Sequence, residues 1–192
     1  MTVLSHMLQS LTKEEISAGQ RYGADSTFHN AAFLGRAEEL NCQAGFEEFC
    51  RNAKTSRDAL DRAIAKSELT TSAILYAAHG HGFAVRGALI GQPKRFVGLQ
   101  YSYPGYISTS FSTEWAEDFL KLRQFRGSRP VLLKFVLLPG FRALDMSRVG
   151  HNGEFEFLLG RNIVFDIVDA EEVVLDGVDD AVLRLTLSPA VT

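Results

Sequence analysis

The segment Gly153-Glu154-Phe155-Glu156-Phe157-Leu158-Leu159 places two carboxylates one residue apart in an otherwise apolar run bounded by glycines. Side chains alternate between the two faces of a strand, so both glutamates project to one side and both phenylalanines to the other. Carboxylates are depleted from strands, and burying an ionised pair without partners is costly. The segment therefore predicts a strand whose acidic face opens into a functional cleft. The alternative is an edge strand with an ordinary solvated face.

The composition indicates a globular protein. The chain has 192 residues, 46% of them hydrophobic and 22% charged, which predicts one domain over residues 1–192. The net charge of -3 gives no general attraction to nucleic acid or to an anionic membrane surface. No apolar run approaches the roughly 20 residues that span a bilayer. We therefore expect neither nucleic acid nor membrane as a partner.

The cysteines and the N-terminus bear on the compartment. Cys42 and Cys50 are the only cysteines, and Met1 to Ser10 has no pattern of a cleavable signal peptide. Reduced, buried thiols are then a better interpretation than a disulfide. The sequence predicts a protein that works in a reducing cytoplasm.

Residues 1–70 are predicted to be helical. Thr12 and Glu15 have the spacing of a capping box, in which each residue bonds the other's backbone N–H at a helix start. Apolar residues recur at helical intervals in three further segments, Ala31 to Leu40, Phe46 to Asn52 and Ala59 to Ala65.

Residues 71–192 are predicted to be rich in strands, because short apolar runs there alternate with glycine and proline. A helix carrying Trp115, Phe119 and Leu122 on one face interrupts them, with Thr113 or Ser112 as its cap. The pattern as a whole predicts an α+β fold with a mainly antiparallel sheet. The candidate strands are Ala73 to Tyr76, Tyr106 to Ser110, Val131 to Leu138, Glu154 to Leu159, Ile163 to Val168 and Ala181 to Leu187.

Three features in a fixed order carry a family resemblance: an arginine near a strand end, the run Tyr106-Ile107-Ser108-Thr109-Ser110-Phe111-Ser112 before an amphipathic helix, and Glu154-Phe155-Glu156. This order resembles the arginine–serine–glutamate class of mono-ADP-ribosyltransferases, which includes bacterial toxins, type III effectors and phage transferases. The resemblance covers roughly Leu60 to Val168. Leu158 to Arg161 resembles the family's Leu-Leu-Pro-Arg-Gly continuation, with departures at Gly160 and Asn162. The resemblance as a whole implies a split sheet whose cleft holds NAD as substrate.

The resemblance also implies roles for the motif residues. Glu156 would stabilise the oxocarbenium-like sugar that forms when nicotinamide leaves, and Ser108 would hold Glu156 in position. Thr109 and Ser110 would support the strand beside the cofactor. Glu154 would orient or deprotonate the acceptor, because in the family the first glutamate of the pair is associated with transfer to an arginine side chain.

Two positions compete for the family's phosphate-binding arginine. Arg86 lies in a strand-like run and is followed by glycine. In the other register Ala77 or Ala78 stands where the family has its arginine, since Ala77-Ala78-His79-Gly80 follows Tyr76. Losing a bidentate phosphate donor would remove much of the cofactor affinity.

The loop after the predicted central helix offers further cofactor contacts by resemblance. Phe125 could stack on nicotinamide and Arg126 could reach a phosphate, as could Arg129. For any single one of these residues, a solvated basic helix end is the favoured interpretation.

Other polar clusters have simple structural interpretations. His79 and His81 lack a nearby cysteine or acidic partner, which favours a turn over a metal site. His151 and Asn152 fit a polar hairpin turn or, by the resemblance, an acceptor-recognition loop. We therefore expect no metal.

Three functions remain open at this stage. A mono-ADP-ribosyltransferase that modifies a protein target fits the motifs, as an effector delivered into another cell or a phage enzyme. A degenerate, protein-binding relative that does not turn over NAD, or an NAD glycohydrolase, would use the same fold.

Overall fold

The computed structural model describes residues 5–24, 30, 46–79, 92–122, 131–150, 156–178 and 181–190. Within them lie three helices and a mainly antiparallel sheet of eight strands, together with a separate two-stranded ribbon. This confirms the predicted α+β fold. The chain divides into two compact units, described in turn.

The first unit comprises Met1–Thr71, Pro104–Ser108 and Pro139–Asn162. Its two helices are α1 (Lys13–Ala24) and α2 (Phe46–Ala65). A short ribbon pairs β1 (Ser5–Met7) with β2 (Ser67–Leu69) in antiparallel register. The sheet strands of this unit are the start of β5 (Ile107–Ser110), β7 (Ala143–Asp145) and β8 (Glu156–Leu159).

Helix α1 begins as the sequence predicts. The Thr12 backbone N–H donates to Glu15 Oε2 at 2.8 Å, and the Glu15 N–H donates to Thr12 Oγ1 at 3.2 Å. The buried Glu15 carboxylate also accepts from Lys66 Nζ at 2.8 Å. Burial alone would raise the pKa of Glu15, but Lys66 and Thr12 outweigh it and lower that pKa.

The core of the first unit lies between its helices and the ends of its strands. Gly19 allows a close approach there, since a Cβ at this position would lie 2.7 Å from a Val149 methyl carbon. Apolar side chains from both helices and from the segments around β5, β7 and β8 fill this core: Ala18, Tyr22, Ala59, Leu60, Ala63, Ile64, Tyr106, Leu144, Met146, Val149 and Leu158.

The second unit comprises Ser72–Tyr103, Thr109–Leu138 and Ile163–Thr192. Its hydrogen-bonded strand order is β4-β9-β10-β6-β3-β5. All neighbours are antiparallel except β10 and β6, which are parallel. The strands are β3 (Ala73–His79), β4 (Gln100–Ser102), β6 (Val131–Leu137), β9 (Val164–Val173), β10 (Val182–Pro189) and the end of β5.

Helix α3 (Thr113–Leu122) packs on one face of this sheet. Ala116 and Leu120 are buried against Leu132 and Val182. The Ser112 hydroxyl accepts from the Trp115 N–H at 3.2 Å, so Ser112 is the N-cap and Thr113 the first helical residue. On the sheet itself, the rings of Phe135 and Phe165 meet edge to face with centroids 5.0 Å apart.

The predicted elements mostly recur with shifted bounds. The two helical segments between Phe46 and Ala65 form one helix of 20 residues, and the strand expected over Ile163 to Val168 runs to Val173. The short strands β1, β2, β4 and β7 were not predicted, since three residues are too few for a period to be visible. The expected helix Ala31 to Leu40 lies outside the described residues, and the single-domain organisation stays a prediction.

Candidate functional site

The serine and the second glutamate of the motifs lie on neighbouring strands of the first unit. Ser108 is on β5 and Glu156 opens β8, and these strands are adjacent in the sheet. Strand β8 has β5 on one side and β7 on the other, and Glu156 is only 7% exposed. Glu156 is therefore a buried carboxylate inside the sheet, which excludes the solvated edge strand as an explanation for it.

The Ser108 side chain contacts Tyr22, an aromatic residue of helix α1. The hydroxyl oxygens of Ser108 and Tyr22 lie 3.4 Å apart. Tyr22 is fully buried, and its hydroxyl accepts a hydrogen bond from Asn30 Nδ2 at 3.0 Å. The half-buried Ser108 side chain thus has a fixed partner on one side.

Asn30 also fixes the start of the serine strand. Its Oδ1 accepts from the Tyr106 backbone N–H at 2.9 Å, and its Nδ2 donates to the Tyr106 carbonyl at 3.0 Å. One amide side chain therefore replaces a strand neighbour for the residue that precedes β5.

The Tyr106 side chain joins this strand to helix α2. Its ring is buried, and it meets Tyr22 edge to face with centroids 5.5 Å apart. Its hydroxyl lies 2.7 Å from Asp61 Oδ1 and 2.8 Å from the Arg57 carbonyl oxygen. Burial and the hydrogen bond to Asp61 raise the pKa of Tyr106, so this hydroxyl remains a protonated donor.

Arg161 completes the cluster just after strand β8. Its Nε donates to Asp61 Oδ1 at 3.2 Å and its Nη2 to Asp61 Oδ2 at 2.5 Å. The guanidinium also lies 5.7 Å from the centre of the Tyr106 ring. The hydrogen bond to Asp61 raises the pKa of Arg161.

The other two residues of the serine triplet are buried in the second unit. Thr109 is fully buried, and Ser110 Oγ accepts from the Ser112 N–H at 3.1 Å. Ser110 is also paired with Tyr76 of β3. In the structure, Ser110 links the end of β5 to the turn that starts helix α3.

The alternative arginine position lies on β3. Ala77 is opposite Leu133 of β6 and is 2% exposed, whereas Ala78 lies opposite Leu132 and packs toward helix α3. Ala77 therefore occupies the buried face of this strand, two residues before His79.

His79 ends β3 in an aromatic cluster. Its ring meets those of Tyr101 and Tyr103 edge to face, with centroids 6.4 and 5.2 Å away. Burial lowers the pKa of His79 to about 4. In the described part of the chain, no group of three or more His, Cys, Asp or Glu side chains is arranged to hold a metal ion.

Several predicted site residues lie outside the described residues: Glu154, Arg86, Phe125, Arg126, Arg129, His81, His151 and Asn152. Their roles stay predictions. Conversely, sequence reasoning did not single out Tyr22, Asn30 or Asp61. The available signal was the capping box, which correctly starts the helix that carries Tyr22. The partners of these side chains at the two motif strands are 45 to 100 residues distant in the chain.

Comparison with known proteins shows the fold and no closer relationship. No protein-family model matches the sequence, and no curated protein does. Solved structures do match, and they give the chain the fold of ADP-ribosyltransferase toxins.

Among the described helices, none is long and apolar enough to cross a membrane.

Three of these structures indicate the extent of the likeness. Plx2a, an ADP-ribosyltransferase toxin from Paenibacillus larvae, is 19% identical with a TM-score of 0.64, over 94% of this chain and 88% of its own. The Clostridium limosum C3 exoenzyme is 18% identical with a TM-score of 0.63, over 93% and 86%. Vis toxin from Vibrio splendidus is 17% identical with a TM-score of 0.66, over 94% and 74%.

Proposed function

We propose that this protein is a mono-ADP-ribosyltransferase, which cleaves NAD and transfers ADP-ribose to an arginine of a target protein. The observation that carries the proposal is the buried Glu156 beside the Ser108 strand, in a chain with the fold of ADP-ribosyltransferase toxins. Burying a carboxylate costs free energy unless the charge is paired or hydrogen-bonded, so a buried glutamate at this motif position supports a functional role.

Glu156 would supply the main electrostatic contribution. Loss of nicotinamide leaves positive charge on the ribose, and a fixed negative charge favours that state over neutral NAD. Because Glu156 is 7% exposed, little water screens its charge. Its buried backbone in β8 also fixes its position before the reaction begins.

Ser108 would act by orienting Glu156 or the ribose. Its hydroxyl has both a donor and two acceptor sites, and Tyr22 uses at most one of them at 3.4 Å. The remaining capacity is available to a neighbouring carboxylate or to a sugar hydroxyl.

Two bound ligands of structural neighbours support the choice of substrates. BECa of Clostridium perfringens, of which the chain covers 44%, was solved with NADH, and Vis was solved with agmatine. NADH shares the dinucleotide of NAD, and agmatine carries the guanidinium of an arginine side chain. By the sequence resemblance, Glu154 would orient such an acceptor, and delivery of the protein into a host cell would bring it to its target.

The proposal is tested by incubating the protein with tagged NAD and a lysate of candidate target cells. We expect wild type to label protein, Glu156→Gln to lose labelling, and Glu154→Gln to cleave NAD without labelling. Glu14→Gln is the matched control, because Glu14 is exposed and pairs with Arg62. Release of free ADP-ribose without protein labelling would instead assign NAD glycohydrolase activity.

Ala77 favours a second candidate, a protein-binding relative that does not turn over NAD. If β3 is the family's arginine strand, its phosphate ligand has been replaced by a small side chain that is 2% exposed. The variant Ala77→Arg distinguishes the two, with Ile74→Arg, at an exposed position of the same strand, as its control. If the protein has lost NAD binding with this arginine, NAD should raise the melting temperature of Ala77→Arg but not that of wild type. A shift of wild type by NAD would contradict it.

A further inference from the structure

Strands β5 and β8, which carry Ser108 and Glu156, are both flanked by a residue that contacts the carboxylate of Asp61. Tyr106 immediately precedes β5 and lies two residues before Ser108, while Arg161 lies two residues after the end of β8. Both side chains bond Asp61 of helix α2, with distances of 2.5 to 3.2 Å. These four residues and Glu156 belong to the first compact unit.

The geometry at Asp61 is restrictive. Arg161 donates through two nitrogens to two oxygens, an arrangement that fixes the plane of the guanidinium as well as its distance. The Tyr106 ring lies against the same guanidinium. Tyr106 is therefore contacted at its hydroxyl by Asp61 and at its ring face by Arg161. Sliding either strand along the other would break at least one of these contacts.

Asp61 is nevertheless poorly placed to stabilise the whole fold. Its side chain is 38% exposed, and ion pairs with that much solvent contribute little to folding. The precision of the contacts therefore matters more than their energy. Small errors in the position of reacting groups can reduce a rate by one to two orders of magnitude.

We propose that Asp61 is a positioning residue, which clamps Tyr106 and Arg161 so that Ser108 and Glu156 stay in register on their neighbouring strands. The inference rests on the proposed function in that the pair it aligns is the proposed catalytic one. It adds a specific reason for the arginine that follows the glutamate strand and for a tyrosine, rather than phenylalanine, before the serine strand. The hydroxyl of Tyr106 is what reaches Asp61.

The kinetic test compares Asp61→Ala with Asp58→Ala. Asp58 is three residues earlier on the same helix, is 55% exposed and pairs with Arg57, so it controls for loss of a surface carboxylate. We expect Asp61→Ala to lower kcat about tenfold with little change in the KM for NAD, because binding contacts remain while alignment is lost. Asp61→Asn, which keeps an acceptor for Tyr106, should restore part of kcat.

A double-mutant cycle separates the clamp from unrelated effects. If Tyr106 and Asp61 act together, Asp61→Ala combined with Tyr106→Phe should be no slower than Asp61→Ala alone. Multiplicative losses would mean that the two residues act independently, and so would contradict the proposal.

Hydrogen exchange tests the same clamp without any reaction. In Asp61→Ala we expect faster amide exchange in β5 and β8 than in Asp58→Ala, with β6 and β10 unchanged. Unchanged exchange in β5 and β8 would overturn the proposal. Faster exchange in a protein that never cleaves NAD would support the clamp and refute the proposed function, so the two failures are distinguishable.

Discussion

The two compact units are held together in different ways. The first buries polar groups and satisfies them individually: Tyr22 with Asn30, Glu15 with Lys66, Ser56 with Arg21. The second is packed mainly through apolar side chains of its strands, as at Phe135 and Phe165, although it also buries Thr109 and Ser110. Apolar packing tolerates shifts in side-chain position, whereas hydrogen bonds depend steeply on geometry. The comparison indicates that precise positioning is concentrated in the unit that carries Ser108 and Glu156.

The largest expected change in stability lies in the second unit. Phe135→Ala removes a fully buried ring and its edge-to-face contact with Phe165, which should lower the free energy of unfolding by about 3–5 kcal/mol. Urea unfolding followed by circular dichroism measures this loss. Val174→Ala, on an exposed side chain in the same unit, should change stability by less than about 0.5 kcal/mol. If Phe135→Ala and Val174→Ala lowered the free energy of unfolding equally, the contact between Phe135 and Phe165 would not stabilise this unit.

Charge pairs should matter in the first unit and not in the second. Lys66→Ala removes the close cation from the buried Glu15 carboxylate, which keeps the Thr12 N–H and the longer contact to Arg62, and should cost about 3 kcal/mol. Lys94→Ala breaks an ion pair between side chains that are 70% and 47% exposed, and should cost less than about 1 kcal/mol. Thermal unfolding at neutral pH compares them. Similar costs would remove the contrast between the units.

The acid response of the second unit should trace to His79. Burial lowers its pKa from 6.5 to about 4, so the folded state keeps His79 neutral while the unfolded chain takes up a proton. Stability is therefore complete above pH 6.5 and falls as the pH drops toward 4, by at most about 3 kcal/mol. His79→Phe should flatten this part of the curve of unfolding free energy against pH. An unchanged slope would show that His79 titrates normally.

The smallest expected effect is at the start of helix α3. Ser112→Ala removes the acceptor for the Trp115 N–H and the donor to Glu114, which should cost about 1 kcal/mol, and Ser112→Thr, which keeps both, should recover most of it. Denaturant titration of the three proteins gives the comparison. A loss in Ser112→Thr as large as in Ser112→Ala would contradict the capping role of the hydroxyl.

Local patterns in the sequence account for the longer helices and strands. The capping box at Thr12 and Glu15, the apolar face of α3 and the apolar run of β8 each depend on residues a few positions apart. The Asp61 cluster could not be predicted in this way. Tyr106 is 45 residues from Asp61 along the chain, and Arg161 is 100 residues from it. Each alone has the sequence context of an ordinary surface or core residue. Only tertiary structure brings them together.

If the Glu156 carboxylate stabilises the sugar cation that forms from NAD, the rate of nicotinamide release must depend on it. Wild type, Glu156→Gln and the exposed control Glu14→Gln would each be incubated with NAD and agmatine, and free nicotinamide measured over time. We predict release by wild type and Glu14→Gln, and release at least about 100-fold slower by an equally stable Glu156→Gln. No release by wild type, or equal rates with and without the Glu156 carboxylate, would contradict the account.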